Sequence, residues 1–310
     1  MTEKDYRKEG EEMEKKKKKK YSRTDKVILG IGFTILGLFV LSIAIPIIYV
    51  VLASFMDPTV LNNQGLSFNI KDWTLDAYRR VLENEMIWRG FLNSFLYSLA
   101  FTVISVFVTL LAAYPLSKKE FVGRKVFNII FLITMFFGGG MIPTFLLYKQ
   151  LGLTNSFGVY VIPGMVSAFN MLVIRTYMNG ISDSLEESAQ LDGAGYTTIF
   201  LKIYSPLCKP VYATVALFVA VGQWNSWFDA MLYNRMNSNL TTLQYELMKL
   251  LSSVTNQGTS VEAMKNAAGS VTPTSVRAAA TIITMLPIIC IYPFLQKYFV
   301  AGLTLGGVKE

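Results

Sequence analysis

The sequence contains no histidine and only two cysteines in 310 residues. The first absence removes Ser-His and Cys-His catalysis and every histidine-ligated metal site. Cys208 and Cys290 fit no metal-binding or redox spacing and are read as incidental. No G-x-x-x-x-G-K-[ST] phosphate loop occurs, so the chain is not expected to bind a nucleotide by that route. Long apolar blocks carry almost no ionisable side chains. Arg175 and Asp229 lie near block ends, and Lys297 lies near another. A pump driven by an ion gradient keeps acids or other titrating groups at mid-membrane, so a proton relay is not expected here. No internal repeat is evident.

What the chain has instead is apolar length. Hydrophobic residues make up 52% of it and mean hydropathy is +0.40, above the range of a soluble domain. The blocks predict an all-α integral membrane protein with six spans, at about 27–55, 91–116, 126–148, 158–178, 211–232 and 278–299. The first block is too long for a signal-peptide core and lacks a small-residue cleavage site, so it reads as a span that Pro46 kinks. Gly138, Gly139 and Gly140 interrupt the third block. Such a run means close helix packing or local unwinding, and packing is the expectation. Pro287 and Pro293 lie within the sixth.

The formal net charge is +8, but it is concentrated in residues 1–26, where Lys15 to Lys20 form an unbroken run. That segment reads as a solvated basic tail, not as a nucleic-acid site. With the amino terminus inside, the cytoplasmic segments hold 20 of the 29 Lys and Arg residues. The positive-inside rule then places both termini in the cytoplasm. Residues 234–277 become an outer loop, and Ser182–Pro210 a cytoplasmic one.

Ser182–Pro210 is the polar insertion between spans that reads as ordered. Ser184 with Glu187, and Asp183 with Glu186, have the spacing of a capping box. Leu185, Ser188 and Ala189 share a helix face. Gly193 and Gly195 permit a sharp reversal. A second helix follows with Ile199, Phe200, Ile203, Tyr204 and Leu207 on one face, and Pro206 and Pro210 mark its end or a kink. Since the chain holds no energy source of its own, the hairpin is expected to dock a partner ATPase. An ordinary surface hairpin linking two spans is the plain alternative.

Glu187-Ser188-Ala189, Asp192-Gly193-Ala194, then Phe200, Ile203, Pro206 and Pro210, resemble the EAA loop of membrane subunits of binding-protein-dependent ABC importers. Ser188 stands where Ala is usual, and Ser205-Pro206 where Leu-Pro is usual. The end Gln296-Lys297-Tyr298-Phe299-Val300-Ala301-Gly302, with Gly306-Gly307-Val308-Lys309, is similar to the tail of maltose-type, MalG-like permeases. Gly139-Gly140-Met141-Ile142-Pro143-Thr144 and Trp224-Asn225-Ser226-Trp227-Phe228 resemble the branch importing oligosaccharides or polysaccharide fragments. The resemblance covers 27–310 and leaves out the lysine tail.

It implies a type I importer fold in a bacterial cytoplasmic membrane. This non-catalytic subunit would pair with a second homologous permease above two ATPase subunits, which would hold ATP and Mg. The chain itself would bind no cofactor, metal or nucleic acid. An extracytoplasmic solute-binding lipoprotein would deliver an oligosaccharide, with 234–277 as one surface for it. The coupling residues would be Glu186, Glu187, Ser188, Ala189, Asp192, Gly193, Ala194, Phe200, Ile203 and Pro206. Gln223, Trp224, Asn225 and Trp227 are candidates for the sugar pathway, the rings stacking on pyranose faces and the amides binding hydroxyls. Their plain alternative is an interfacial aromatic anchor. A permease for a non-sugar solute, a self-contained channel or carrier, and an intramembrane enzyme are the competing classes.

Overall fold

The computed structural model describes residues 22–257 and 273–304. The lysine run, residues 258–272 of the expected outer loop and Gly306-Gly307-Val308-Lys309 lie outside the described residues. Regular structure among the described residues is helical, apart from an isolated bridge between Met56 and Trp73.

In chain order the helices are α1 (Arg23–Phe55), α2 (Pro58–Gln64), α3 (Asp76–Leu82) and α4 (Glu85–Ser117). Next come α5 (Arg124–Phe136), α6 (Met141–Gln150), α7 (Ala168–Met178) and α8 (Asp183–Leu191). The rest are α9 (Tyr196–Leu207), α10 (Lys209–Trp224), α11 (Phe228–Tyr233), α12 (Leu243–Gln257) and α13 (Pro273–Thr304).

The chain divides into two units, Met1–Leu52 and Ala53–Glu310. In the first, most of α1 is a bare apolar helix whose large side chains are exposed. At 1.5 Å per residue its 33 residues reach about 50 Å, enough for a hydrocarbon core of about 30 Å. The helix is continuous through Pro46.

The second unit is built around α4. Asn84 opens this helix, its side chain accepting from the Met86 N–H at 3.0 Å. Buried Ser94, Ser98, Ser105, Thr109 and Ala113 mark its inner side. Small residues there let neighbouring helices come close without large side chains between them. Helices α7, α10 and α12 pack on α4, and α13 packs on α10 and α12. Near the N-terminal end of α4 the contact with α12 is bonded. The Leu243 N–H donates to Ser94 Oγ at 2.9 Å, and Asn93 Nδ2 donates to the Asn239 and Thr241 carbonyls.

Among the described residues, three helices are long and apolar enough to cross a membrane, α1, α4 and a 20-residue stretch of α13. Two bent pairs bring the number to five. The expected third span is one such pair, with α5 and α6 meeting at 115°. The glycines cause this break. Gly140 has φ +83°, and a Cβ on Gly138 or Gly139 would meet nothing within 4 Å, so close packing does not explain the run. Turn freedom does. The expected fourth span, 158–178, is not one continuous α-helix. Pro163 and Gly164 interrupt it, and only the 11 residues of α7 form an α-helix, about 16 Å by the same rise. Ser167 caps that helix by accepting from the Asn170 N–H at 3.3 Å.

Gly90 sits where α4 meets the start of α12. A Cβ there would lie 3.0 Å from the Leu243 nitrogen and 3.1 Å from the Thr242 carbonyl carbon. Both are backbone atoms and cannot rotate away. Gly90→Ala is therefore expected to cost about 1–3 kcal/mol by overpacking and to lower the thermal midpoint of the detergent-purified protein. Gly37→Ala, with open space at its Cβ, is expected to leave that midpoint in place.

Candidate functional site

Residues 182–210 fold as the expected hairpin. Helix α8 ends at Leu191, and the chain reverses through Gly193 at φ +79°. The Gly193 N–H donates to the Gln190 carbonyl at 3.0 Å, and Ala194 N–H to the Ala189 carbonyl at 2.9 Å. These bonds close the last turn of α8 in the manner of a glycine-ended helix. Helix α9 returns along the core. A second pair of helices that meet at a bend, α9 and α10, joins at 75° with Cys208 between them. Pro206 and Pro210 flank that bend.

Ile199, Tyr204 and Cys208 are buried with Met171, Ile174, Met178, Val211 and Val215, and Ala189, Ala194, Phe200 and Ile203 pack against the same cluster. Leu207 departs from the expected face and is exposed. Residues Phe200–Tyr204 form a π-helical turn, whose extra residue per turn rotates everything after it. On α8, Ala189 faces the core, while Leu185 and Ser188 face outward.

The capping boxes do not form. Ser182 is the cap residue but makes no capping hydrogen bond, and its Oγ meets Ser184 Oγ at 2.8 Å. The acids are used elsewhere. Lys119 donates to Asp183 at 2.9 Å, and this bond holds the Asp183 carboxyl below its ordinary value and raises the Lys119 ammonium. That pair is exposed and contributes little to stability. Lys118 pairs with Glu186, and the Tyr204 hydroxyl donates to the same carboxylate oxygen at 2.8 Å. The Lys118 side chain is 9% exposed and that of Glu186 13%. The ammonium lies 3.7 Å from the Tyr204 ring centroid and 4.7 Å from that of Tyr114. The Tyr114 hydroxyl bonds the Tyr196 carbonyl at 3.1 Å. A charged donor outcompetes a neutral backbone N–H for a carboxylate, which explains the lost Asp183–Glu186 box, while Ser184 lies inside the helix and cannot cap it. Glu187, Ser188, Leu191, Asp192 and Gly193 remain at the open tip, with Leu191 89% exposed.

The second group of candidates is split. Gln223 is 8% exposed and lines a cavity of about 360 Å³ between α4, the start of α7 and α10. Trp224 faces the other way. It is 6% exposed, its Nε1 donates to the Thr284 carbonyl at 3.1 Å, and its ring meets Phe91 edge-on at 5.6 Å. In this conformation core packing takes most of the ring, and what is left lines an apolar pocket with Phe91 and Phe218. Asn225 is exposed and bonded to the Val221 carbonyl and to Gln244. Trp227 stacks edge-on with Phe228.

No protein-family model matches the chain. It is 34% identical over 279 residues to the polygalacturonan/rhamnogalacturonan transport system permease protein YtcP of Bacillus subtilis (strain 168), covering 90% of this chain and 96% of that one. It is 37% identical over 268 residues to Protein LplC of the same organism, covering 86% and 89%. The chain belongs to the carbohydrate ABC transporter permease family. A crystal structure of a bacterial ABC transporter involved in import of the acidic polysaccharide alginate contains a chain of the same fold. Its TM-score is 0.80 at 34% identity, over 90% of this chain and 99% of that one. The family's energy comes from separate ATPase partners, as the missing phosphate loop implied.

Lys118, Lys119 and Tyr114 were not among the sequence candidates. Lys118→Met strands a buried carboxylate, at a cost on the order of 3 kcal/mol. It is expected to speed amide hydrogen exchange through 183–207. Adding Glu186→Met removes the stranded charge and is expected to restore protection.

Proposed function

We propose that this permease drives import of an oligosaccharide or polysaccharide fragment by docking the hairpin 182–210 on a partner ATPase. The observation that carries this is the hairpin's construction. Its base is clamped to the end of α4 through Lys118 and Glu186, while its tip shows Glu187, Ser188, Leu191 and Asp192 to solvent. A surface held on one side and bare on the other is built to be pushed. Ala189, Ala194, Phe200 and Ile203 support it from beneath, and Pro206 lies at the bend that leads into α10.

The chain forms half of a pathway completed by a second homologous permease. ATP and Mg reside in the paired ATPases, and a solute-binding lipoprotein delivers the sugar from outside. The membrane subunit itself carries out no catalysis. Six crossings with both termini in the cytoplasm is the topology we adopt. It is supported by the Lys118–Glu186 and Lys119–Asp183 pairs, which join the turn after α4 to the loop after α7. Two points that touch lie on one side of a membrane, so an even number of crossings separates them. The lysine tail is taken as a solvated cytoplasmic segment, and 234–277 as the outer surface nearest the binding protein.

Closure of the two ATPases would move both hairpins as rigid bodies and open the pathway outward. Glu187→Lys reverses the charge at the tip and is expected to cut sugar-stimulated ATP turnover and ATPase co-purification at least about tenfold, equivalent to about 1.4 kcal/mol of lost coupling. Gly193 gives a graded test. A Cβ there meets open space, so only the positive φ penalises substitution, by about 1–2 kcal/mol for most residues. Gly193→Val is expected to uncouple more than Gly193→Asn, with membrane insertion unchanged in both. Wild-type turnover in all three variants would remove the hairpin from the mechanism.

A further inference from the structure

The cavity beside Gln223 has an unusual charge inventory. Its polar lining is Ser105, Ser167, Asn170, Gln223, Ser226 and Asp229. Two amides and three hydroxyls supply donors and acceptors, and one carboxylate accepts from the Ser226 hydroxyl at 3.0 Å. No lysine or arginine lines it. Phe101 and Phe218 complete the wall, giving an apolar face beside the polar one. At about 360 Å³ it is within the range of small-molecule sites.

Two of its polar atoms are left over. Gln223 Nε2 and Ser105 Oγ are buried and have no hydrogen-bond partner. Native proteins satisfy nearly all such groups, so an orphaned donor beside a polar cavity points to a ligand acceptor. Gln223 is itself more than nine-tenths buried. Sugar hydroxyls both donate and accept, and they match amide and hydroxyl groups side by side. A uronic acid's carboxylate would meet no cation in this lining and would lie beside an acid already there. Burial of an unpaired anion next to a like charge is strongly disfavoured.

We propose that this cavity is a hydroxyl-binding subsite for an uncharged sugar unit, and that this half of the pathway passes neutral oligosaccharides and rejects uronic acids. The inference rests on the sugar-import reading above and adds the charge class of the cargo. It also assigns Gln223 as the donor that selects for it.

The test uses the assembled transporter in proteoliposomes, with both permeases, the ATPases and the binding protein. Arabinotriose and maltotriose are compared with trigalacturonate and an alginate trimer. At least one neutral trimer is expected to raise ATP turnover and uptake, with no response to either acid. Gln223→Leu removes an unpartnered buried amide and keeps the side-chain volume, so it does not threaten folding. It is expected to reduce uptake of the neutral trimer roughly tenfold, the scale of one lost hydrogen-bonding partner. Equal stimulation by the acidic trimers would overturn the charge assignment and leave the importer reading standing. Wild-type uptake by Gln223→Leu would remove the subsite. A transporter that responds to no saccharide would instead sink the sugar-import reading itself.

Discussion

The ion pair between Lys118 and Glu186 fixes the hairpin to the end of α4. Withdrawing two charges from water is costly, and the pair stands only because its surroundings replace the lost hydration. Tyr204 donates to the carboxylate, and the rings of Tyr114 and Tyr204 face the ammonium. The lysine belongs to the residue just after α4, and the glutamate to the first helix of the hairpin. On the proposed docking role, a push on the hairpin would be carried into α4, the helix on which α7, α10 and α12 pack. Without the pair, the hairpin would keep its apolar face, the exposed Lys119–Asp183 bond and the Tyr114–Tyr196 bond, but no buried charge contact to α4.

Helix α4 differs along its length in how it holds its neighbours. Near its N-terminal end the α12 contact is fixed by directional bonds from Leu243 and Asn93. Towards its middle, the buried hydroxyls of Ser98, Ser105 and Thr109 have no hydrogen-bond partner. Contacts there rest on close packing of small residues. Packing without bonds permits small sliding of one helix on another, the shear component of domain motions. The N-terminal end is therefore pinned by bonds, the C-terminal end is clamped to the hairpin, and the middle is held by packing alone.

How much of this the sequence revealed depends on the range of the interaction. Apolar blocks announce α1, α4 and α13 because hydropathy is a property of a continuous segment. The hairpin is readable from local chemistry, a glycine at positive φ and an apolar face at helical spacing. Lys118 and Glu186 are 68 residues apart, and two lysines after a span look like ordinary topology signals. Likewise Asp183 and Glu186 have perfect capping spacing, and nothing local says that lysines will claim them. Trp224 invites a sugar-stacking role from its polar neighbours, but Phe91 and Thr284 decide its direction, and both are distant in sequence. The short α7 was visible in principle, since Pro163 and Gly164 stand within a block that hydropathy alone reads as unbroken.

The two candidate sites are the ends of one rod. Helix α10 starts at the bend below the hairpin and ends at Gln223 and Trp224, a run of 16 residues. At 1.5 Å per residue it is about 24 Å long, so a tilt of about 10° at its base would move its far end by about 4 Å. A shift of that size exceeds the reach of a hydrogen bond and would bring Gln223 into or out of register with a sugar hydroxyl. The base has the means to turn, for the π-helical stretch of α9 and the 75° bend interrupt regular bonding there. The far end has the means to respond, because its cavity wall carries orphaned donors instead of a closed bond network. On the proposed function, coupling between nucleotide and cargo would need no chain of subtle rearrangements. It would need a stiff helix, a joint beneath it and an unsatisfied amide at its tip.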